Sequence, residues 1–161
     1  MKEKTFFKLQ QRFLALPLHH IDTDVIFEPN NETKLGDQCS AYLNKVGYKY
    51  RGIISLSVIG EFFMITIRDV TESMERYVLF NFLDTLIKKR KIEFSTLKYD
   101  SLKTVVKIKE IDSRVEDMDA IHLANCIQDK ASTFVTFDEK LVENNRIEKE
   151  FGVRIMHPKD L

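Results

Sequence analysis

The chain has 161 residues, 43% hydrophobic and 31% charged, with 25 Lys and Arg balancing 25 Asp and Glu. This length sustains one self-supporting core, and the composition excludes a disordered chain. A formal net charge of zero leaves no whole-molecule field to hold a polyanion, which argues against a basic nucleic-acid-binding module but not against an enzyme that grips nucleic acid through a cation.

Phe6, Leu9 and Phe13 stand at helical spacing and predict an amphipathic helix over 5–14, an extension (residues 1–16) ahead of one domain spanning 17–161. Its apolar stripe could cover the domain's own sheet, the commoner case, or pack on a second subunit or partner. Lys8, Gln10, Gln11 and Arg12 interrupt the stretch, so it is not the core of a secretory leader. No run reaches the roughly 18 apolar residues that span a bilayer, so no membrane association is expected. Cys39 and Cys126 match no zinc or C-x-x-C pattern and read as two buried thiols in a reducing compartment, which points to the cytoplasm.

Pro17 ends the first helix, and 18–21 reads as a strand running into Asp22. Residues 28–32 are loop chemistry. Helix is expected over 38–46, with Ala41, Tyr42 and Val46 inward and Gly47 as a stop. A buried strand at 49–55 leads into helix over 58–68. A longer helix over 72–91 carries Met74, Val78, Phe82 and Leu86 at i, i+4 spacing. Strand is expected at 92–97, helix at 100–111 and 118–129, strand at 133–137, a polar helix at 139–150 and a last strand at 153–156, stopped by His157 and Pro158. Strands alternating with helices predict an α/β fold: a mainly parallel central sheet with helices on both faces, in three layers.

In open α/β sheets, functional groups gather beyond the carboxyl ends of the strands. Four segments each deliver an acid there: Asp22, Glu61, Asp119 and Asp138. Asp117 and Asp138 stand where helix N-caps belong, and Asp is a favoured cap. Glu61 falls one place too late for a capping box from Ser57. Asp22 ends an apolar strand, where an uncompensated charge is costly. Clustered carboxylates shift their pKa or bind cations. With no His or Cys ligand set expected, oxygen-only ligation selects Mg²⁺ or Mn²⁺, and such ions serve phosphoryl chemistry. His19, His20, His122 and His157 show no spacing for metal-free acid–base cleavage and read as core or surface residues. The Lys88-Lys89-Arg90-Lys91 run reads as positive charge complementing a helix C-terminus rather than as a phosphate groove.

Ile21-Asp22-Thr23-Asp24-Val25-Ile26 resembles the opening motif of the PIN-domain nucleases, VapC-like toxin ribonucleases among them. Ser55-Leu56-Ser57-Val58-Ile59-Gly60-Glu61-Phe62, Asp119-Ala120-Ile121-His122-Leu123-Ala124 and Val135-Thr136-Phe137-Asp138 are similar to the next three motifs, in family order, and 153–158 fits the closing strand. The resemblance covers about residues 18–161. It implies that Asp22, Glu61 and Asp119 ligate Mg²⁺ or Mn²⁺, that Asp138 completes the site, and that the Thr136 hydroxyl supports it. It also implies hydrolysis of RNA to a 5′-phosphate, often by a dimerising toxin silenced by a small antitoxin. Asp24 departs from the family, which more often has Asn or Ser there; in an extended strand it would face the same way as Asp22. Asp117 and Asp119, two apart on a helix, do not share a face, so Asp119 is the expected ligand and Glu116 an exposed neighbour.

Two other readings compete. Asp22-Thr23-Asp24 also resembles the D-x-D signature of haloacid-dehalogenase-type phosphatases, with Asp22 as nucleophile, although Ile26 and the lack of a later Lys motif depart from it. A PIN-like scaffold that only binds RNA or protein is the non-enzymatic alternative.

Overall fold

The computed structural model describes residues 3–96 and 98–161, with side chains from residue 8 onward apart from residue 97. Phe6 and Leu97, each given a role above, therefore lie outside the described side chains.

Helix α1 (Glu3–Leu14) is followed at Pro17 by β1 (Leu18–Ile21), and the short α2 (Thr23–Phe27) starts directly after Asp22. A 3₁₀ turn at Glu28–Asn30 occupies part of the expected loop and leads to α3 (Lys34–Lys45), capped by the Thr33 hydroxyl. Strand β2 (Arg51–Ser55) passes straight into α4 (Leu56–Asp69), where Ser55 accepts the Val58 N–H as N-cap. Next come α5 (Ser73–Lys88), β3 (Ile92–Ser95), α6 (Ser101–Ile111), α7 (Asp117–Gln128) and β4 (Thr133–Val135). The expected polar helix is two pieces, α8 (Glu139–Val142) and α9 (Asn145–Phe151), because the Asn144 side chain accepts the Ile147 N–H and starts a new helix. Strand β5 (Arg154–Met156) and a 3₁₀ turn at Pro158–Asp160 close the chain.

All strand pairs are parallel, in the order β3-β2-β1-β4-β5. The chain moves outward from β1 in one direction and then crosses to β4 on its other side, so the topological switch point lies between β1 and β4. A ligand crevice is expected beyond the carboxyl ends of those two strands.

The two sheet faces bury separate cores. Ile21 and Val135 point to one with Val25, Tyr42, Ile54, Phe62 and Leu83; their neighbours His20 and Phe134 point to the other, where Phe134 packs with Ile108, Leu123, Leu141 and Ile147. This is the period-two alternation of a strand covered on both sides. Gly52 is required by close packing, since a Cβ there would lie 2.7 Å from Val46 Cγ1 and 3.0 Å from Ile21 Cδ1. Gly47, at φ +95°, turns the chain after α3.

Several expectations need correction. In α3 the inward residues are Cys39, Tyr42 and Leu43, with Val46 just beyond it, while Ala41 faces solvent. In α5 the buried face is Leu79, Leu83 and Leu86; Met74 and Val78 are 73% and 52% exposed. This helix is apolar on more than one side, so periodicity alone does not say which side meets the sheet. Of the described apolar side chains of α1, Leu9 and Leu14 are 50% and 54% exposed, while Phe13 is partly buried with Arg51 of β2 over its ring. Cys39 and Cys126 are free and buried. Lys88 pairs with Asp84, and Lys91 Nζ donates to the carbonyls of Leu43, Asn44 and Val46, so the basic run caps the end of α3 as well as ending its own helix.

Candidate metal centre at the switch point

Asp22 is fixed by the fold before any ligand is considered. As N-cap of α2 it accepts the Thr23 N–H at 2.8 Å, and its own N–H donates to the Val135 carbonyl at the end of β4. It is almost fully buried. Burial alone would raise its pKa, but hydrogen bonds from His122, Thr136 and Thr23, with the nearby His122 charge, hold it below the usual carboxylate range. The sequence placed no helix here, because Val25 and Ile26 look like strand continuation.

Glu61 reaches the same point from the second turn of α4, where the Thr23 hydroxyl donates to its Oε2 at 2.5 Å. His122 arrives from α7: Nδ1 lies 3.1 Å from Asp22 Oδ1 and Nε2 3.6 Å from Glu61 Oε2. One donor atom from each of Asp22, Glu61 and His122 can be chosen so that all lie within 4.8 Å of one another. The cluster thus includes an imidazole beside its carboxylates, and His122 is a core residue that faces them. It was missed because histidine alone carries no positional signal. The available clue was its place three residues after Asp119, on the same helix face.

Asp119 and Asp138 surround this group without joining its closest set. Asp119, in the first turn of α7, is half-buried; burial and then the charges of Asp22 and Asp138 push its pKa up to about 7. Asp138 caps α8 by accepting the Lys140 N–H at 2.8 Å, and its own N–H donates to the Thr136 hydroxyl at 3.1 Å. Thr136, fully buried, therefore accepts from Asp138 while standing close enough to Asp22 to help hold that carboxyl low. Asp24 does not share Asp22's orientation through a strand, since it lies in α2, yet it remains part of the acidic surroundings. Although Asp24 is exposed, loss of water on its inner side, followed by the charges of Asp22, Glu61 and Asp138, pushes it up to about 6. Asp117 is not the cap of α7: Glu116 holds that position, and exposed Asp117 pairs with Lys109 at 2.9 Å.

Burial lowers the pKa of His122, but the hydrogen bond to Asp22 and the charges of Asp22, Glu61 and Asp119 outweigh that and raise it. Opposed shifts of this kind mark a cluster carrying more negative charge than its own protons comfortably neutralise. A divalent cation suits that imbalance, and the buried His122 Nε2, which has no hydrogen-bond partner, could offer it a lone pair on losing its proton. The residues present fit such an ion.

The PIN domain family profile matches residues 20–147. No curated protein matches the chain. Among solved structures, it is similar to FitAcB from Neisseria gonorrhoeae (16% identity, TM-score 0.66, covering 89% of this chain and 99% of that one). It is also similar to VapBC2 from Rickettsia felis bound to a DNA fragment from their promoter (16%, TM-score 0.61, 87% and 98%) and to FitAB bound to IR36 DNA fragment (14%, TM-score 0.65, 89% and 96%). At these identities the structural likeness shows the fold.

Proposed function

The chain belongs to the PIN-domain family, and from that premise we propose that it is a divalent-metal-dependent ribonuclease. The observation that carries this reading is the convergence of Asp22, Glu61 and His122 within 4.8 Å, ringed by Asp119 and Asp138, at the switch point of the sheet. Asp22, Glu61 and Asp119, with Asp138 completing the site, would hold Mg²⁺ or Mn²⁺. Such an ion supplies an activated water and neutralises charge on the phosphodiester.

The protein's own groups pre-arrange that site. The Thr23 N–H and His122 fix Asp22, the Thr23 hydroxyl fixes Glu61, and Thr136 ties Asp138 to the same end of β4. Hydrolysis adds water across the phosphorus–O3′ bond: its oxygen goes to phosphorus, leaving a 5′-phosphate, and a proton goes to the departing 3′ oxygen. Next to Asp138 in the chain, a groove of about 760 Å³ is lined by Arg114, Lys140 and Arg146 together with Asp112, Glu139 and Glu143, and Arg114 is paired with Asp112, so its charge is mixed.

A toxin role fits the likeness to FitAB and VapBC2, and with it a small antitoxin, a homodimer and a cytoplasmic location. The exposed apolar side chains of α4 and α5, including Met64, Ile67, Tyr77 and Val78, would suit such protein partners. None of the described helices is long and apolar enough to cross a membrane. The dehalogenase-type reading gains no support from the site, because Glu61 and His122, superfluous to a phosphoaspartate, both engage the Asp22 segment. The test is incubation of single-stranded and structured RNA with Mn²⁺, Mg²⁺ or chelator, with Asp119→Asn alongside. Cleavage that needs the ion and is lost in the variant supports the reading; cleavage undiminished in chelator overturns it.

A further inference from the structure

The geometry points to His122 Nε2 as a direct metal ligand, giving a mixed nitrogen–oxygen site that prefers a first-row transition dication such as Mn²⁺ to Mg²⁺. This rests on the metal-dependent reading above and assigns a donor that the four acids alone do not include.

His122 is fully buried, and its two nitrogens stand in different circumstances. Nδ1 is 3.1 Å from Asp22 Oδ1; an ionised carboxylate only accepts, so the proton of this hydrogen bond sits on Nδ1. When the ring is neutral, as a metal-ligating imidazole must be, Nε2 presents its lone pair. That atom has no hydrogen-bond partner, and Glu61 Oε2 at 3.6 Å is too far for one. Glu61 Oε2 already accepts the Thr23 hydroxyl, so the facing pair of Nε2 and Oε2 lacks a counter-charge unless the ring carries a second proton. A cation shared by Nε2, Glu61 and Asp22 resolves this. The arrangement has the usual form of a ligating histidine, whose second ring nitrogen donates to a carboxylate that fixes its tautomer.

Metal preference follows from donor chemistry. Carboxylates alone suit Mg²⁺, which keeps a strict octahedral oxygen shell; imidazole shifts affinity toward Mn²⁺ and the later first-row ions. Asp119 and Asp138, at the edge of this set, would complete the carboxylate surroundings of the ion.

The test is electron spin-echo spectroscopy of Mn²⁺ bound to the full chain, which reads directly coordinated nitrogen without relying on activity. The expected result is a ¹⁴N modulation that changes to the ¹⁵N pattern in protein labelled with ¹⁵N-histidine. In His122→Gln the nitrogen modulation disappears, and the Mn²⁺-over-Mg²⁺ preference measured by titration calorimetry falls by about tenfold or more. The labelling needs no substitution, so it decides the matter even if the variant fails to fold. Mn²⁺ bound at the acids without nitrogen modulation, or Mg²⁺ bound as tightly as Mn²⁺, overturns the role of His122 and leaves the nuclease reading standing. Failure of any divalent ion to bind overturns both.

Discussion

The hydroxyl of Thr23 donates to Glu61 Oε2 at 2.5 Å, joining the first residue of α2 to the second turn of α4 across 38 positions of sequence. Because the Thr23 backbone N–H also donates to Asp22, this one residue orients two carboxylates of the candidate site. Thr23→Val keeps the branched shape and removes only the hydroxyl. It is expected to cost about 1.5–3 kcal/mol of stability in urea unfolding, as for a lost hydrogen bond to a charged group. It should also weaken divalent-ion binding in calorimetry. Unchanged affinity would mean that Glu61 is positioned without Thr23.

Acid should weaken the fold through the two histidines of β1. Burial, and for His19 the Arg154 charge as a lesser cause, lowers His19 to about 4; burial, only partly offset by Asp129, lowers His20 to about 4 as well. Both folded values lie below the unfolded value of 6.5, so the unfolded chain binds more protons between pH 6.5 and 4. Stability from these groups is present above 6.5 and is lost as pH falls toward 4, by about 3 kcal/mol per histidine at most. His19→Phe keeps a ring beside Tyr42 and Tyr50, and should flatten about half of that decline in urea titrations across this pH range. An undiminished slope would show that His19 is protonated in the folded state.

The two sides of α5 should respond differently to truncation. Leu83→Ala empties a buried position and is expected to cost about 2–5 kcal/mol, whereas Val78→Ala on the exposed side should stay within about 0.5 kcal/mol. Thermal unfolding of the two variants checks this. Equal losses would mean that the exposed side is covered in solution, as by a second copy.

Removal of residues 1–16 should leave a folded domain. The described apolar side chains of α1 are mostly exposed, and its Phe13–Arg51 contact, at 5.7 Å, is worth about 0.5–1 kcal/mol at such a site. Residues 17–161 are therefore expected to unfold cooperatively with a stability loss of about 1 kcal/mol. Collapse of the cooperative transition would show that the extension belongs to the core.

What was legible in the sequence follows a physical pattern. The alternation of strands and helices gave the α/β class, because buried parallel strands are short apolar runs and their crossovers are longer periodic ones. Asp22, Glu61, Asp119 and Asp138 could be singled out because capping accounts for single acids such as Asp22 and Asp138 but not for four gathered at one end of the sheet. His122 could not, since an imidazole suits core, surface or site equally and only tertiary placement chooses. The helix at Thr23–Phe27 was hidden by its β-branched residues, and its existence depends on Asp22 acting as a cap. The inward faces of α3 and α5 were misjudged because both helices carry apolar residues beyond the buried stripe.

The most direct measurement of the central claim is the chemistry of the ends left on cleaved RNA. With Mn²⁺ or Mg²⁺ the account predicts 5′-phosphate and 3′-hydroxyl ends, no product in chelator, and none from Asp22→Asn under either ion. A 5′-hydroxyl paired with a cyclic phosphate, formed in chelator and retained in Asp22→Asn, would place the chemistry on side-chain acid–base groups and contradict it.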